Sequence, residues 1–470
     1  MKVLMFGWEF PPHISGGLGT ACYGLTQSML KNKMELLFVV PRLFGDETGK
    51  DSFLIDASAI VRRPKRTKAY SSKLTSDRRR SKIAGSRDTV ITGADMTRIE
   101  VESALMPYNH PSAALPDNRM IALRAWNYAI ASQGRIQDRT TDELFRLEAK
   151  SPESGDERFQ FSGTYGANLL NEVHQYAEVA SIIAKKYDFD VIHVHDWMTF
   201  PAGIAARRAS KKPLVVHVHS TEFDRSGEHI NETVFNLEKA GFAEADKIIA
   251  VSNWTRDIVI RRYKVPPEKV TVVHNGILPR EQVSDFSFPD IGSHFVTFLG
   301  RVTHQKGPWF FVEAAEKVLQ EFPEAHFIVA GAGDLLPQTI ERVAQLNMSS
   351  SFHFTGFLTG NQVDQIWSLT DVYVMPSVSE PFGIAPLEAI QGGVPVILSK
   401  QSGVSEVMPH AIKVDFWDVK ALAAAICSVL RYESLSHALR QNSKKHIKQL
   451  TWDKAAADVK AVYHGLTGKE

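Results

Sequence analysis

Along the chain, short apolar runs alternate with longer stretches whose apolar residues recur at helical spacing. A near-continuous apolar run suits a strand covered by helices on both faces, so the pattern predicts parallel α/β structure. In the first half, Val3 to Gly7, Glu35 to Val40, Asp190 to His195, Pro213 to Ser220, Lys247 to Ser252 and Val270 to Gly276 read as strands. Helical patterns lie between most of them. One runs from Trp254 to Tyr263 and is opened by the cap signal Ser252-Asn253.

A Pro/Asp/Ser-rich stretch from Ile277 to His294 breaks the rhythm and is the best candidate for a linker. Strand patterns restart with HFVTFLGRV and continue through HFIVAGAG, SFHFTGF, VYVMPS, VPVILSK and AIKVDF. The expectation is an α/β domain over residues 1–286, a second over 287–450, and a closing segment 451–470. Between Phe44 and Phe161 the pattern weakens. Arg62 to Arg87 holds eleven Lys or Arg against a single acid, Asp77. An insertion of about residues 45–160, solvated and partly disordered, is the expected reading, with a weak patch for anionic lipid or for a polyanion as the alternative. Tyr70 is the lone aromatic there, which disfavours nucleic acid.

Composition narrows the class. A chain of 470 residues exceeds one ordinary core, and 44% hydrophobic with 23% charged residues is a globular composition. The 54 basic and 53 acidic side chains nearly cancel, so the chain as a whole has no reason to seek nucleic acid or an anionic surface. Cys22 and Cys427 form no disulfide framework and no metal cluster, and a cytoplasmic location is expected. The opening MKVLMFGWEFPP reads as a buried strand rather than a signal peptide, because Trp8-Glu9 interrupts a short apolar run.

Candidate chemistry gathers where strands give way to helices. Ser15 to Gly19, SGGLG, follows the first strand and precedes a helical pattern from Thr20. It is either a backbone cradle for phosphate or simply a tight turn. His193 and His195 share one strand face, as do His217 and His219 on the next strand. Either pair could form a two-histidine metal arm, but no third or fourth ligand is evident, and no metal centre is expected. Asp196 and a histidine of the second pair better suit hydrogen bonds to sugar hydroxyls, with local capping and core packing as the competing reading. In GRVTHQKG, Arg301 and Lys306 place two cations at a strand's carboxyl end, suited to a diphosphate. Glu380 and Glu388 follow, eight residues apart. Pro386 predicts a helix opening near Ala385 whose first N–H groups would face the same phosphates.

GRVTHQKG followed by EPFGIAPLEA, with its eight-residue step between glutamates, resembles the GT-B glycosyltransferases of the family-four and glycogen-synthase type. FGWEFPPHISGGLG, HVHDW and HVHSTEFDRSG resemble the amino-terminal domain of the same family. The resemblance spans nearly the whole chain outside the basic insertion. It implies two Rossmann-like domains facing across a cleft, an acceptor domain first and a nucleotide-sugar donor domain second. A closing helix around Trp452 would cross back onto the first domain. It also implies a retaining, metal-independent hexosyltransferase that needs no cofactor beyond its co-substrate, ADP-glucose or UDP-glucose.

By the same resemblance, Arg301 and Lys306 would hold the diphosphate and Glu388 the ribose. Glu380 with the backbone of Phe382, Gly383 and Ile384 would hold the donor sugar. Gly16 and Gly17 would close over the phosphates, His219 would sit near the reacting carbon, and Asp196 would line the donor or acceptor site. The base would be read mainly through backbone around Phe357. One departure stands out. Bacterial glycogen synthases carry Lys-Thr-Gly-Gly-Leu near the amino terminus, where this chain has Ile14-Ser15-Gly16-Gly17-Leu18. An α-glucan remains the favoured acceptor, and mannosyl or other hexosyl transfer to a lipid or small molecule is the alternative. A glucan phosphorylase is disfavoured, since nothing resembles a pyridoxal-phosphate lysine site.

Overall fold

The computed structural model describes residues 1–11, 17–41, 52–56, 90–91, 96–100, 161, 169–278, 294–358 and 360–469. The predicted strands are present, and they sort into two sheets. The first contains β1 (Lys2–Phe6), β2 (Glu35–Val40), β3 (Ser52–Asp56), β4 (Val90–Ile91), β5 (Met96–Glu100), β6 (Val191–His195), β7 (Leu214–Val218), β8 (Lys247–Ala250) and β9 (Val270–Val272). Their order is β4-β3-β5-β2-β1-β6-β7-β8-β9, parallel except where β4 pairs antiparallel with β3. Three strands therefore lie inside the region expected to be a solvated insertion, and β5 extends the sheet beyond β2. The ladder overrides a weak local pattern there. The basic run Arg62 to Arg87, and nearly all of the expected linker, lie outside the described residues.

The second sheet comprises β10 (Phe295–Leu299), β11 (His326–Ala330), β12 (Phe352–Gly356), β13 (Val372–Met375), β14 (Val396–Ser399) and β15 (Ile412–Val414). Its order, β12-β11-β10-β13-β14-β15, is that of a doubly wound nucleotide-binding fold. In such a sheet the chain winds outward in both directions from one point, here between β10 and β13. Loops leaving those two strands diverge and open a crevice. The first sheet reverses in the same way between β1 and β6. These two switch points bring together sequence-distant motifs.

Both faces of the first sheet are covered. Leu4, Phe6, Leu37, Val39, Ile192 and Val194 point to one core, against the helix Leu169–Lys186. Their alternates Val3, Met5, Leu36, Phe38 and Val191 meet Cys22, Leu25 and Met29 of the helix Gly17–Lys31 and Trp452, Ala456, Val459 and Tyr463 of the helix Trp452–Thr467. The last helix of the chain thus packs on the first sheet. It reaches that position through an isolated bridge between Ile277 and Thr451, with Ile277 N donating to Leu450 O (3.0 Å). The expected strand through Gly276 stops at Val272, because Gly276 leaves the sheet to pack against the backbone of Thr451 and Trp452. Ser252 caps the helix Asn253–Tyr263 by accepting from Thr255 N, as its sequence predicts. Among the described residues no helix is long and apolar enough to cross a membrane.

Candidate active site

The carboxyl end of β10 carries Gly300, Arg301 and the short 3-10 turn His304–Lys306. Gly307 ends that turn with φ 66°, and a Cβ there would strike Pro376 O, so the turn closes against the loop leaving β13. Lys306 Nζ consequently pairs with Glu380, although 74 positions separate them. Glu380 is buried, also accepts from Ser377 Oγ (3.3 Å), and is fixed by Glu380 N to Gln401 O and Gly403 N to Glu380 O, each 2.9 Å. Arg301 Nη2 donates to Gln305 Oε1 (3.1 Å), and its side chain is solvent-facing. The second switch point thus joins Lys306 to Glu380, with Arg301 on the same loop as Lys306.

Phe382 is buried, and Gly383 adopts φ 95°, a left-handed conformation that bends the chain into the helix Ala385–Gln391. That helix starts at the residue the Pro386 signal indicates. Glu388 sits in its first turn, and Ile384 packs against buried residues of both sheets. In the first half of the chain, Gly17 is the first residue of its helix and is exposed, with open space where a Cβ would stand. That helix opens three residues before the Thr20 expected from sequence. Gly16 lies outside the described residues.

On the first sheet, Asp196 follows β6 with φ 59°, and its Oδ1 accepts from His219 N (2.7 Å) and Ser220 N (3.2 Å). Burial pushes its carboxyl up to about 7, against the opposing pull of Arg225 and those two N–H groups. His219 Nε2 lies 2.9 Å from His195 Nδ1, and burial pushes the His219 imidazole down to about 3. It is therefore neutral at physiological pH, able to donate one hydrogen bond and accept another but not to act as a cation. The two histidine pairs seen in sequence form one grid. Along each chain segment His193 stacks on His195 (4.5 Å) and His217 on His219 (4.3 Å), and pairing of His195 with His217 across β6 and β7 sets the two stacks side by side. Burial is the main reason that His193, His195 and His217 are also held well below the usual histidine range.

Sequence reasoning missed a set of residues that join the two halves. Ser379 Oγ donates to Asp224 Oδ1 (2.6 Å) and accepts from Trp254 Nε1 (3.0 Å). Asp224 completes a capping box with Thr221 at the helix Glu222–Ser226. Ser252 Oγ donates to Pro381 O (2.5 Å), and Glu406 accepts from Asn253 N (2.9 Å) and Trp254 N (2.7 Å). Beneath them, Arg225 pairs with Glu238 (2.6 Å) and Glu222 (3.2 Å) in a largely buried cluster. The capping box TEFD was the available local signal. Its partner Ser379 could be found only through tertiary structure.

Two largely parallel sheets, each with a switch-point crevice and with Lys306 paired to Glu380 at one of them, define a GT-B architecture. The family described as "Glycosyl transferases group 1" matches residues 280–446, and "Glycosyltransferase Family 4" matches residues 150–280. An uncharacterized glycosyltransferase of Methanocaldococcus jannaschii is 31% identical over 294 residues, covering 58% of this chain and 75% of that protein. A glycogen synthase of Mycobacterium tuberculosis is 25% identical over 282 residues, covering 58% of this chain and 68% of the relative. Among solved structures, Anabaena HepE in complex with UDP-glucose shares the fold with TM-score 0.60 at 15% identity, each chain covered in full (100%). The chain belongs to the GT-B glycosyltransferases of group 1 and family 4, and is a glycosyl-transferring enzyme.

Proposed function

We propose that this transferase moves a hexose, glucose foremost, from ADP-glucose or UDP-glucose to a carbohydrate acceptor of the α-glucan type, with retention at the anomeric carbon and without a catalytic metal. Residues 1–286 serve as the acceptor domain, 287–450 as the donor domain, and 451–470 as the tie back to the first. The enzyme works in the cytoplasm, in keeping with Cys22 and Cys427 being free, buried thiols. The observation that carries the reading is the pairing of Lys306 with Glu380 at the β10/β13 switch point, with Arg301 on the same loop as Lys306. The glycogen-synthase relative and the UDP-glucose complex of a structural neighbour support the choice of donor class.

Arg301 and Lys306 hold the diphosphate, Glu388 the ribose, and Glu380 with the Phe382, Gly383 and Ile384 backbone the sugar. Gly16 and Gly17 close over the phosphates, while His219 and Asp196 face the reacting sugar. As the C1–O bond to phosphate breaks, its electron pair leaves on the diphosphate. Fixed cations placed where that charge grows lower the barrier without reorganisation. Lys306 is held by Glu380 until the diphosphate competes for it. The acceptor oxygen attacks from the departing face, and its proton passes to the leaving phosphate. Neutral His219 steadies a sugar hydroxyl by hydrogen bonding.

The deciding experiment is metal-free transfer and donor hydrolysis across ADP-, UDP- and GDP-sugars, with wild type and Lys306→Ala. We expect glucose transfer to a glycogen primer from an ADP or UDP donor, falling about 100-fold or more in the variant, as for loss of one oriented electrostatic group. Preference for GDP-mannose moves the reading to mannosyl transfer. Absence of any nucleotide-sugar turnover refutes it.

A further inference from the structure

The imidazole grid on β6 and β7 contains more nitrogen than its hydrogen bonds use. His193, His195 and His217 are essentially inaccessible, at 0%, 0% and 2% exposure. His193 Nδ1 meets the Tyr463 hydroxyl and its Nε2 lies 3.2 Å from His217 Nδ1. His195 Nε2 and His217 Nε2, both buried, have no hydrogen-bond partner among the described residues. A buried nitrogen without a partner is costly, and His195 Nε2 calls for an occupant. One ligand atom from each of His193, His195 and His217 lies within 4.8 Å of the others, and Cys22, His195 and His219 form an adjoining triple by the same measure.

We propose that His193, His195 and His217 bind a borderline-soft divalent cation, Zn2+ or a congener, as a structural site distinct from the transfer chemistry. Two ligands of a tetrahedral ion at about 2.0–2.1 Å stand roughly 3.4 Å apart, close to the 3.2 Å between His193 Nε2 and His217 Nδ1, and the orphaned His195 Nε2 offers a third nitrogen. That contact satisfies a ligand pair as well as it does a hydrogen bond. Imidazoles suit Zn, Cu and Ni rather than Mg or Ca, and among the described residues this cluster contains no carboxylate that would favour the latter. The Tyr463 hydroxyl fixes His193 through Nδ1, leaving Nε2 to face the cluster, as an outer partner of a metal-bound histidine does. Because Tyr463 belongs to the helix Trp452–Thr467, an ion here would tie that helix to the sheet.

The test uses the full chain, stripped with chelator and titrated with Zn2+ or Co2+, with uptake read by elemental analysis and by Co2+ visible absorption. We expect one equivalent of tight binding and a rise in melting temperature on adding metal. His217→Gln should abolish that binding, and Tyr463→Phe should weaken it about 10- to 100-fold while preserving ring packing. His353→Ala, which removes the exposed His326–His353 pair, should leave it unchanged. No stoichiometric uptake by wild type overturns the proposal. So does uptake that survives His217→Gln, or that disappears with His353→Ala. None of these readouts involves sugar transfer, so the site stands or falls independently of the donor assignment.

Discussion

Gly24→Ala opposes two effects of known sign at one helix–helix contact. Gly24 lies mid-way along the helix Gly17–Lys31, where alanine is favoured over glycine by about 1 kcal/mol. A Cβ at that position, however, would fall within 2.7 Å of Trp452 Cδ1 and nearer still to Cε2 and Nε1, far inside ordinary contact. The indole has little room to withdraw. It is buried, and the backbone at Thr451 and Trp452 is held from behind by Gly276 and by the Ile277–Thr451 bridge. Overpacking of this kind costs about 1–3 kcal/mol, and the boxed indole places it at the upper end. After subtracting the helical gain, a net loss of about 2 kcal/mol remains, or a fall in melting temperature of about 4–8 °C for a domain of ordinary size. Calorimetry of wild type, Gly24→Ala, Trp452→Phe and the double variant measures it. The double variant should lose less than the two singles combined, with coupling of at least about 1 kcal/mol. A melting temperature for Gly24→Ala at or above wild type would refute the reasoning, since helix propensity would then have outweighed the contact.

Three further outcomes follow from the contacts that join the two halves and from the buried cluster beneath them. Arg225→Met should destabilise by about 3–5 kcal/mol in denaturant titration, because it leaves Glu222 and Glu238 buried without their cation. Ser379→Ala should cost about 1–3 kcal/mol and raise susceptibility to proteolysis between the halves, while Ser379→Thr restores both; an unchanged Ser379→Ala melting profile would exclude a joining role. Burial raises the Glu406 carboxyl, but bonds from His274, Asn253 and Trp254 outweigh this and hold it below its ordinary value of 4.5. Its contribution is thus fully present above that value and is lost as pH falls through the lower folded-state value. Glu406→Gln should therefore flatten the acid limb of a stability–pH curve below 4.5 without altering its shape near neutrality.

Much of the architecture was legible because strand burial and helix signals are local. Ser252 and Pro386 mark helix starts, and both operate where their chemistry indicates. The strands β1, β2 and β6 to β8, and those of the second sheet, announce themselves as apolar runs between turns. By contrast, β3 to β5 carry no such pattern and exist by pairing with β2 and one another. The motifs GRVTHQKG and SEPFG could be recognised separately in sequence. Only the β10/β13 switch point brings Lys306 onto Glu380. The histidines illustrate the same division. Alternation along a strand shows that His193 shares a face with His195, and His217 with His219. It is strand register, with His195 opposite His217, that converts two arms into one buried grid. Local pattern records which face a side chain takes, since that depends on neighbours two or four residues away. Which faces meet depends on the order of strands and the docking of the final helix, and those are settled by how the whole apolar surface is buried.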